Sequence, residues 1–143
     1  MLLVVAHPTI GAALANLLGM EARYEVVRVQ SLDQAEAALK HWRPDAALVD
    51  GLLLKAGPAP RIEAPSYVLS GSAADGQGLV RRLPDARGWL RKDATAEELR
   101  AAIDAVLKTP ARDPRRRTLA TASAVALSIL AIVAAFTWAW AVR

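Results

Sequence analysis

The chain has 143 residues, enough for one soluble domain of about 110 residues with a core of its own, followed by a short tail. It has no cysteine and only two histidines, which excludes disulfides, thiolate catalysis and thiolate metal sites and disfavours a histidine-rich metal centre. The formal charge of +4 is not a nucleic-acid signature, because Met1 to Lys108 is neutral (13 Lys and Arg against 13 Asp and Glu) and residues 109–143, with five Arg and one Asp, carry the whole excess.

In chain order, Leu2-Leu3-Val4-Val5 reads as a short strand buried on both faces, stopped by His7-Pro8. A helix is expected from about Thr9 to Leu18, with Ile10, Leu14, Leu17 and Leu18 on its apolar stripe. Glu25 to Gln30 reads as a second strand. Ser31, with Gln34 three positions on, is expected to cap a helix whose apolar positions are Leu32, Ala35, Ala38, Leu39 and Trp42 and which Pro44 ends. Asp45 to Asp50 is a third buried strand that delivers an aspartate at its C-terminal end. The stretch after it contains Gly57, Pro58, Pro60 and Pro65 and cannot hold a helix of ordinary length. Ser66 to Ser70 is a fourth strand, Gly71 to Gly78 a loop, Leu79 to Leu83 at most a short helix, and Gly88 to Arg91 a fifth strand around Trp89 and Leu90. Thr95-Ala96-Glu97-Glu98 is a capping box opening a last helix with Leu99, Ala102, Ile103, Val106 and Leu107 on its apolar side.

Strands alternating with helices imply a doubly wound α/β fold, a parallel sheet covered on both faces by right-handed crossovers. Its ligand crevice lies at the carboxyl ends of the strands, where Asp50, Ser70 and Lys92 would gather.

The tail is different in kind. Residues 109–117 form a basic linker with Arg112, Arg115, Arg116 and Arg117, and Thr118 to Val142 is an uninterrupted apolar run without charge, proline or glycine. Twenty-five residues in a helix would span about 37 Å, enough to cross a hydrocarbon core of about 30 Å with tilt. A single-pass transmembrane helix is therefore expected. The arginines orient it with the N-terminal domain in the cytoplasm and the C-terminus outside the inner (cytoplasmic) membrane. Trp138 and Trp140 suit the far headgroup layer, and the recurring small residues Ala120, Ala124, Ser128, Ala131 and Ala135 suit close packing against another membrane helix.

Four segments in order resemble the receiver domain of two-component response regulators, the CheY-like superfamily. They are Leu3-Val4-Val5-Ala6-His7-Pro8, Arg43-Pro44-Asp45-Ala46-Ala47-Leu48-Val49-Asp50, Val68-Leu69-Ser70-Gly71 and Gly88-Trp89-Leu90-Arg91-Lys92-Asp93-Ala94-Thr95. The resemblance covers about Met1 to Lys108 and implies a flavodoxin-like five-stranded sheet. It further implies Asp50 as phosphoacceptor, Ser70 as the switch hydroxyl, Lys92 as the phosphate-contacting lysine, and Trp89 in place of the family's switch tyrosine or phenylalanine.

The chain also departs from that pattern. The acidic pair with which receivers hold Mg²⁺ after the first strand is matched here by Val5 and Ala6, and imidazole at His7 is a poor substitute because Mg²⁺ wants oxygen ligands. The interval from Asp50 to Ser70 is shorter than the family's, so the third crossover is expected to be shortened and its helix absent or cut to a turn. That would leave Leu52, Leu53 and Leu54 beside a thinly covered face.

The expectation is a non-catalytic, tail-anchored pseudo-receiver that uses no cofactor or metal, in which Asp50 is a relic paired with Lys92. It would act as a protein–protein interaction module, an accessory subunit of a larger integral membrane complex or a homodimer, and would not bind nucleic acid. The alternative is a membrane-tethered single-domain response regulator phosphorylated on Asp50.

Overall fold

The computed structural model describes residues 1–20 and 23–108. The expected linker, membrane span, arginine cluster, small-residue stripes and interfacial tryptophans lie outside the described residues. Among the described residues no helix is long and apolar enough to cross a membrane.

Five parallel strands stand in the order β2-β1-β3-β4-β5. They are β1 (Leu2–Val4), β2 (Val27–Val29), β3 (Ala47–Asp50), β4 (Ser66–Ser70) and β5 (Ala86–Arg91). Each is followed by a helix: α1 (Pro8–Gly19), α2 (Leu32–Leu39), α3 (Gly51–Ala56), α4 (Ala73–Val80) and α5 (Ala96–Lys108). This is the doubly wound order in which the direction of strand progression reverses at β1 and β3, so the loops leaving those two strands diverge and open a crevice at their carboxyl ends. The central strands β1 and β3 are buried along their whole length because both faces are covered.

α1 and α5 cover one face, where Leu14, Leu18, Leu99, Ile103 and Val106 meet Leu3, Val5, Leu48 and Leu69. α2, α3 and α4 cover the other, where Ala35, Leu54 and Leu79 meet Leu2, Val4, Val49 and Val68. Two caps expected from the sequence form as expected. Ser31 Oγ accepts from Gln34 N at 3.2 Å, and Thr95 Oγ1 accepts from Glu98 N at 3.2 Å while Thr95 N donates to Glu98 Oε2 at 2.7 Å.

Several expectations are corrected. α1 begins a residue early, because Pro8 has its φ preset for a first helical turn; the inward stripe becomes Gly11, Leu14 and Leu18, and Ile10 is left 42% exposed. β2 is only three residues long, since it is an edge strand paired with three residues of β1.

The third crossover does contain a helix. α3 starts directly after Asp50, whose carboxylate caps it, and runs six residues to Gly57. Its last carbonyls are held from outside: Arg82 Nη1 donates to Leu54 O, and Arg82 Nη2 donates to Gly57 O at 2.7 Å. The face is accordingly not bare. Leu54 is fully buried, Ile62 and Ala64 of the proline-rich return complete the cover, and only Leu52 stands out.

Residues 73–80 are helical where a loop to Gly78 and at most a short helix from Leu79 were expected. Ser72 Oγ caps α4 by accepting from Asp75 N at 3.2 Å, so the Ser-x-x-Asp spacing outweighs two glycines in a short helix. β5 gains Ala86 and Arg87 through a register shift: Ser66 pairs with Ala86 and Tyr67 with Gly88, which sits at φ +154° with the Tyr67 ring against it.

Candidate functional site

β3, β4 and β5 end side by side, with Asp50 opposite Leu69 and Ser70 opposite Arg91 in the ladders. The ladder is extended one step by Lys92 N, which donates to Ser70 O at 3.0 Å. That bond brings the lysine backbone to the crevice, and its side chain crosses over β4 to Asp50. Lys92 Nζ lies 2.7 Å from Asp50 Oδ1.

The same oxygen accepts from Leu52 N at 3.0 Å. The Asp50 side chain is 3% exposed against 29% for Lys92, so a buried carboxylate is matched by a cation that keeps partial contact with water. A buried charge without such a partner would be costly. The pair therefore ties β3 to β5 across β4.

Ser70 is buried beside this pair, but its hydroxyl serves its own loop. Oγ donates to Ser72 O at 2.9 Å and accepts from Ser72 N at 3.3 Å. That small ring turns the chain from β4 into the α4 cap. Trp89 lies on the other side of β5 from the α5 core, in the cluster beneath α2, α3 and α4. Its indole rests directly on Gly76 of α4, where an added Cβ would come within 2.5–2.7 Å of three ring atoms. Only a glycine at position 76 lets the indole and α4 approach this closely.

Val5 is 2% exposed and belongs to the α1–α5 core, with its N–H on Val29 O at 3.1 Å. Ala6 is half-buried and offers only a methyl group, and His7 is an exposed helix N-cap that makes no side-chain capping bond.

The fit to Mg²⁺ follows from this donor set. Mg²⁺ demands near-octahedral oxygen coordination. The crevice offers one carboxylate, and one of its oxygens is already taken by an ammonium and a backbone N–H. Among the described residues no three His, Asp or Glu side chains converge. The residues present do not suit the ion.

Asp50, Lys92 and Ser70 are thus brought together, while Trp89 is turned away from them and Val5 is part of the core. The sequence reading missed Leu52 N as the second donor, Ser72 as the partner of Ser70, and Gly76 as the seat of Trp89. Only Ser72 had a sequence signal, its aspartate three residues on.

The fold is similar to that of solved response regulator receiver, or CheY-like, domains. The solved receiver domain of NtrX from Brucella abortus matches over 76% of this chain and 98% of its own, at 21% identity and a TM-score of 0.63. A putative response regulator from Chloroflexus aurantiacus matches over 76% and 96%, at 24% identity and a TM-score of 0.60. A CheY-like receiver domain protein from Methanospirillum hungatei matches over 75% and 91%, at 19% identity and a TM-score of 0.60. Neither a family model nor a curated protein sequence matches the chain. At these identities the likeness is one of fold.

Proposed function

We propose that this chain is a response-regulator-like module that has left phosphoryl transfer behind: a non-catalytic pseudo-receiver, held at the inner membrane by residues 118–142, that binds integral membrane partners. The observation that carries this reading is the state of the Asp50 carboxylate. Phosphoryl transfer to an aspartate depends on positioning and on neutralising the charge that develops on the transferred group, much of it by a metal ion. Here the buried oxygen Oδ1 is committed to Lys92 and Leu52 N, and the loop after β1 presents Val5 and Ala6 where a metal needs carboxylates. Asp50 and Lys92 then act as a strut between strands. The seating of Trp89 on Gly76 supports an α4–β5 surface that binds without switching.

A second reading rests on the convergence of Asp50, Ser70 and Lys92 at the strand ends, the arrangement a membrane-tethered regulator phosphorylated on Asp50 would use. Incubating the full chain with Mg²⁺ and a small phosphodonor such as acetyl phosphate, then measuring intact mass, separates the two. No phosphoryl increment is expected. An increment that disappears in Asp50→Asn would overturn the pseudo-receiver reading and establish the other.

A further inference from the structure

The soluble domain is neutral overall but polar end to end. All five helices run antiparallel to the strands, so their first turns stand at the carboxyl rim around Asp50 and their last turns point toward the opposite, amino-end rim. Asp33, Asp75, Asp93, Glu97 and Glu98 stand in or beside the first turns at the carboxyl rim, where exposed Lys55 and Arg91 pair with Asp75 and Asp93.

At the amino-end rim, the helix-to-strand connections and the end of α5 carry exposed Arg23, Lys40, Arg43, Arg61, Arg81 and Lys108. Against these six stand the exposed carboxylates of Glu25, Asp45 and Glu63, and Asp104 of α5, 3.3 Å from Arg23. Basic groups near helix C-termini favour the helix dipoles. That accounts for a residue in a last turn but not for Arg43 and Arg61, which lie beyond the helices. Two large apolar side chains stand out on the same rim, Met20 at 80% exposure and Leu107 at 45%.

The chain leaves the domain from this rim at Lys108. Nine residues later, after Arg112, Arg115, Arg116 and Arg117, begins the uncharged apolar run of 25 residues. Nine residues reach at most about 30 Å fully extended.

We propose that the amino-end rim is a docking surface for an anionic lipid bilayer. Arg23, Lys40, Arg43, Arg61, Arg81 and Lys108 meet the headgroups, while Met20 and Leu107 reach toward the acyl boundary. This rests on the reading of residues 118–142 as a membrane anchor. Each basic residue near an anionic surface adds to the attraction, and tethering makes the second contact effectively intramolecular. The thirteen residues of α5 hold the Asp50 crevice about 20 Å farther from the lipid, leaving the acidic rim free for a protein partner.

The test uses the full chain, whose lack of cysteine makes a single introduced thiol a unique label site. Met20→Cys and Leu52→Cys, on opposite rims, are labelled with an environment-sensitive fluorophore and reconstituted into phosphatidylserine–phosphatidylcholine vesicles that contain a spin-labelled lipid quencher. Quenching is expected to be several-fold stronger at position 20 than at position 52. The difference is expected to collapse in vesicles of phosphatidylcholine alone and in the triple variant Arg43→Glu, Arg61→Glu, Arg81→Glu. Equal quenching at both positions, or none at position 20, in protein that floats with the vesicles overturns the docking surface and leaves the anchor standing. Protein that fails to float with any vesicle overturns the anchor reading and the inference with it.

Discussion

The two faces of the sheet reach the same end by different means. Each buries eleven hydrophobic residues among those described, and a fully buried Leu or Ile contributes about 1.5–3 kcal/mol on either side. On the α1–α5 face, helices of 12 and 13 residues supply five of the eleven: Leu14, Leu18, Leu99, Ile103 and Val106. On the other face, helices of 8, 6 and 8 residues supply only Ala35, Leu54 and Leu79, and the connecting loops add Ile62, Ala64 and Leu83. A long helix covers a sheet through its periodicity. Three short ones need devices that hold their ends and fit them closely to their neighbours.

Arg82 is the device whose loss should cost most. Its guanidinium satisfies the carbonyls of Leu54 and Gly57 at the end of a six-residue helix too short to persist alone. Arg82→Met keeps the aliphatic stem but leaves both carbonyls wanting, and urea unfolding should show a loss of about 2 kcal/mol. A change under about 0.5 kcal/mol would mean that water replaces the guanidinium and that α3 is held by Leu54 alone.

The glycines of α4 sharpen the contrast because they stand two residues apart with opposite surroundings. Gly78 has nothing within 4 Å of an added Cβ, so Gly78→Ala should stabilise by about 0.5–1 kcal/mol through helix propensity. Gly76 would drive a methyl into Trp89. Gly76→Ala should therefore destabilise by about 1–2 kcal/mol, the overpacking cost exceeding the same propensity gain. Equal signs at the two positions would show that Trp89 moves freely and that the α4–β5 surface is not fixed.

The sequence disclosed the long-helix face and the strand ends more fully than the short-helix face. The buried strands could be read because β1, β3 and β4 are unbroken apolar or small runs, and α2 and α5 because Ser31 and Thr95 have their capping partners in place. Asp50, Ser70 and Lys92 could be placed in one crevice from topology alone, since parallel strands must end together. α3 was obscured because its stability comes from Arg82, 28 residues on from Leu54, and no local pattern reports a long-range cap. α4 was obscured because Gly76 and Gly78 lower helix propensity, and the reason for Gly76 is an indole on another strand. The side to which Trp89 turns followed from that same fit, which only the packed structure reveals.

The α1–α5 face has polar ties too, and the one at Asp104 gives the mildest test. The hydroxyl of Tyr24, on the approach to β2, donates to Asp104 Oδ1 of α5 at 2.5 Å, and Arg23 Nη2 lies 3.3 Å from Oδ2. The hydrogen bond from Tyr24, helped by Arg23 and Lys108, holds the Asp104 carboxyl below the usual carboxylate range. Burial, then the same bond, raises the Tyr24 hydroxyl above its ordinary value, with Arg23 and Arg100 opposing. The signs give two limits. A depressed carboxyl contributes stability that is present above about pH 4 and lost as pH falls through its folded value. A raised phenol contributes stability that is present below about pH 10 and lost as pH rises through its folded value. Tyr24→Phe removes the bond that couples them. Its melting temperature, followed from acid to alkali, should lie slightly below the parent's near neutrality and converge with it at both extremes. A constant offset at every pH would show that the ring's packing, not its hydroxyl, joins β2 to α5.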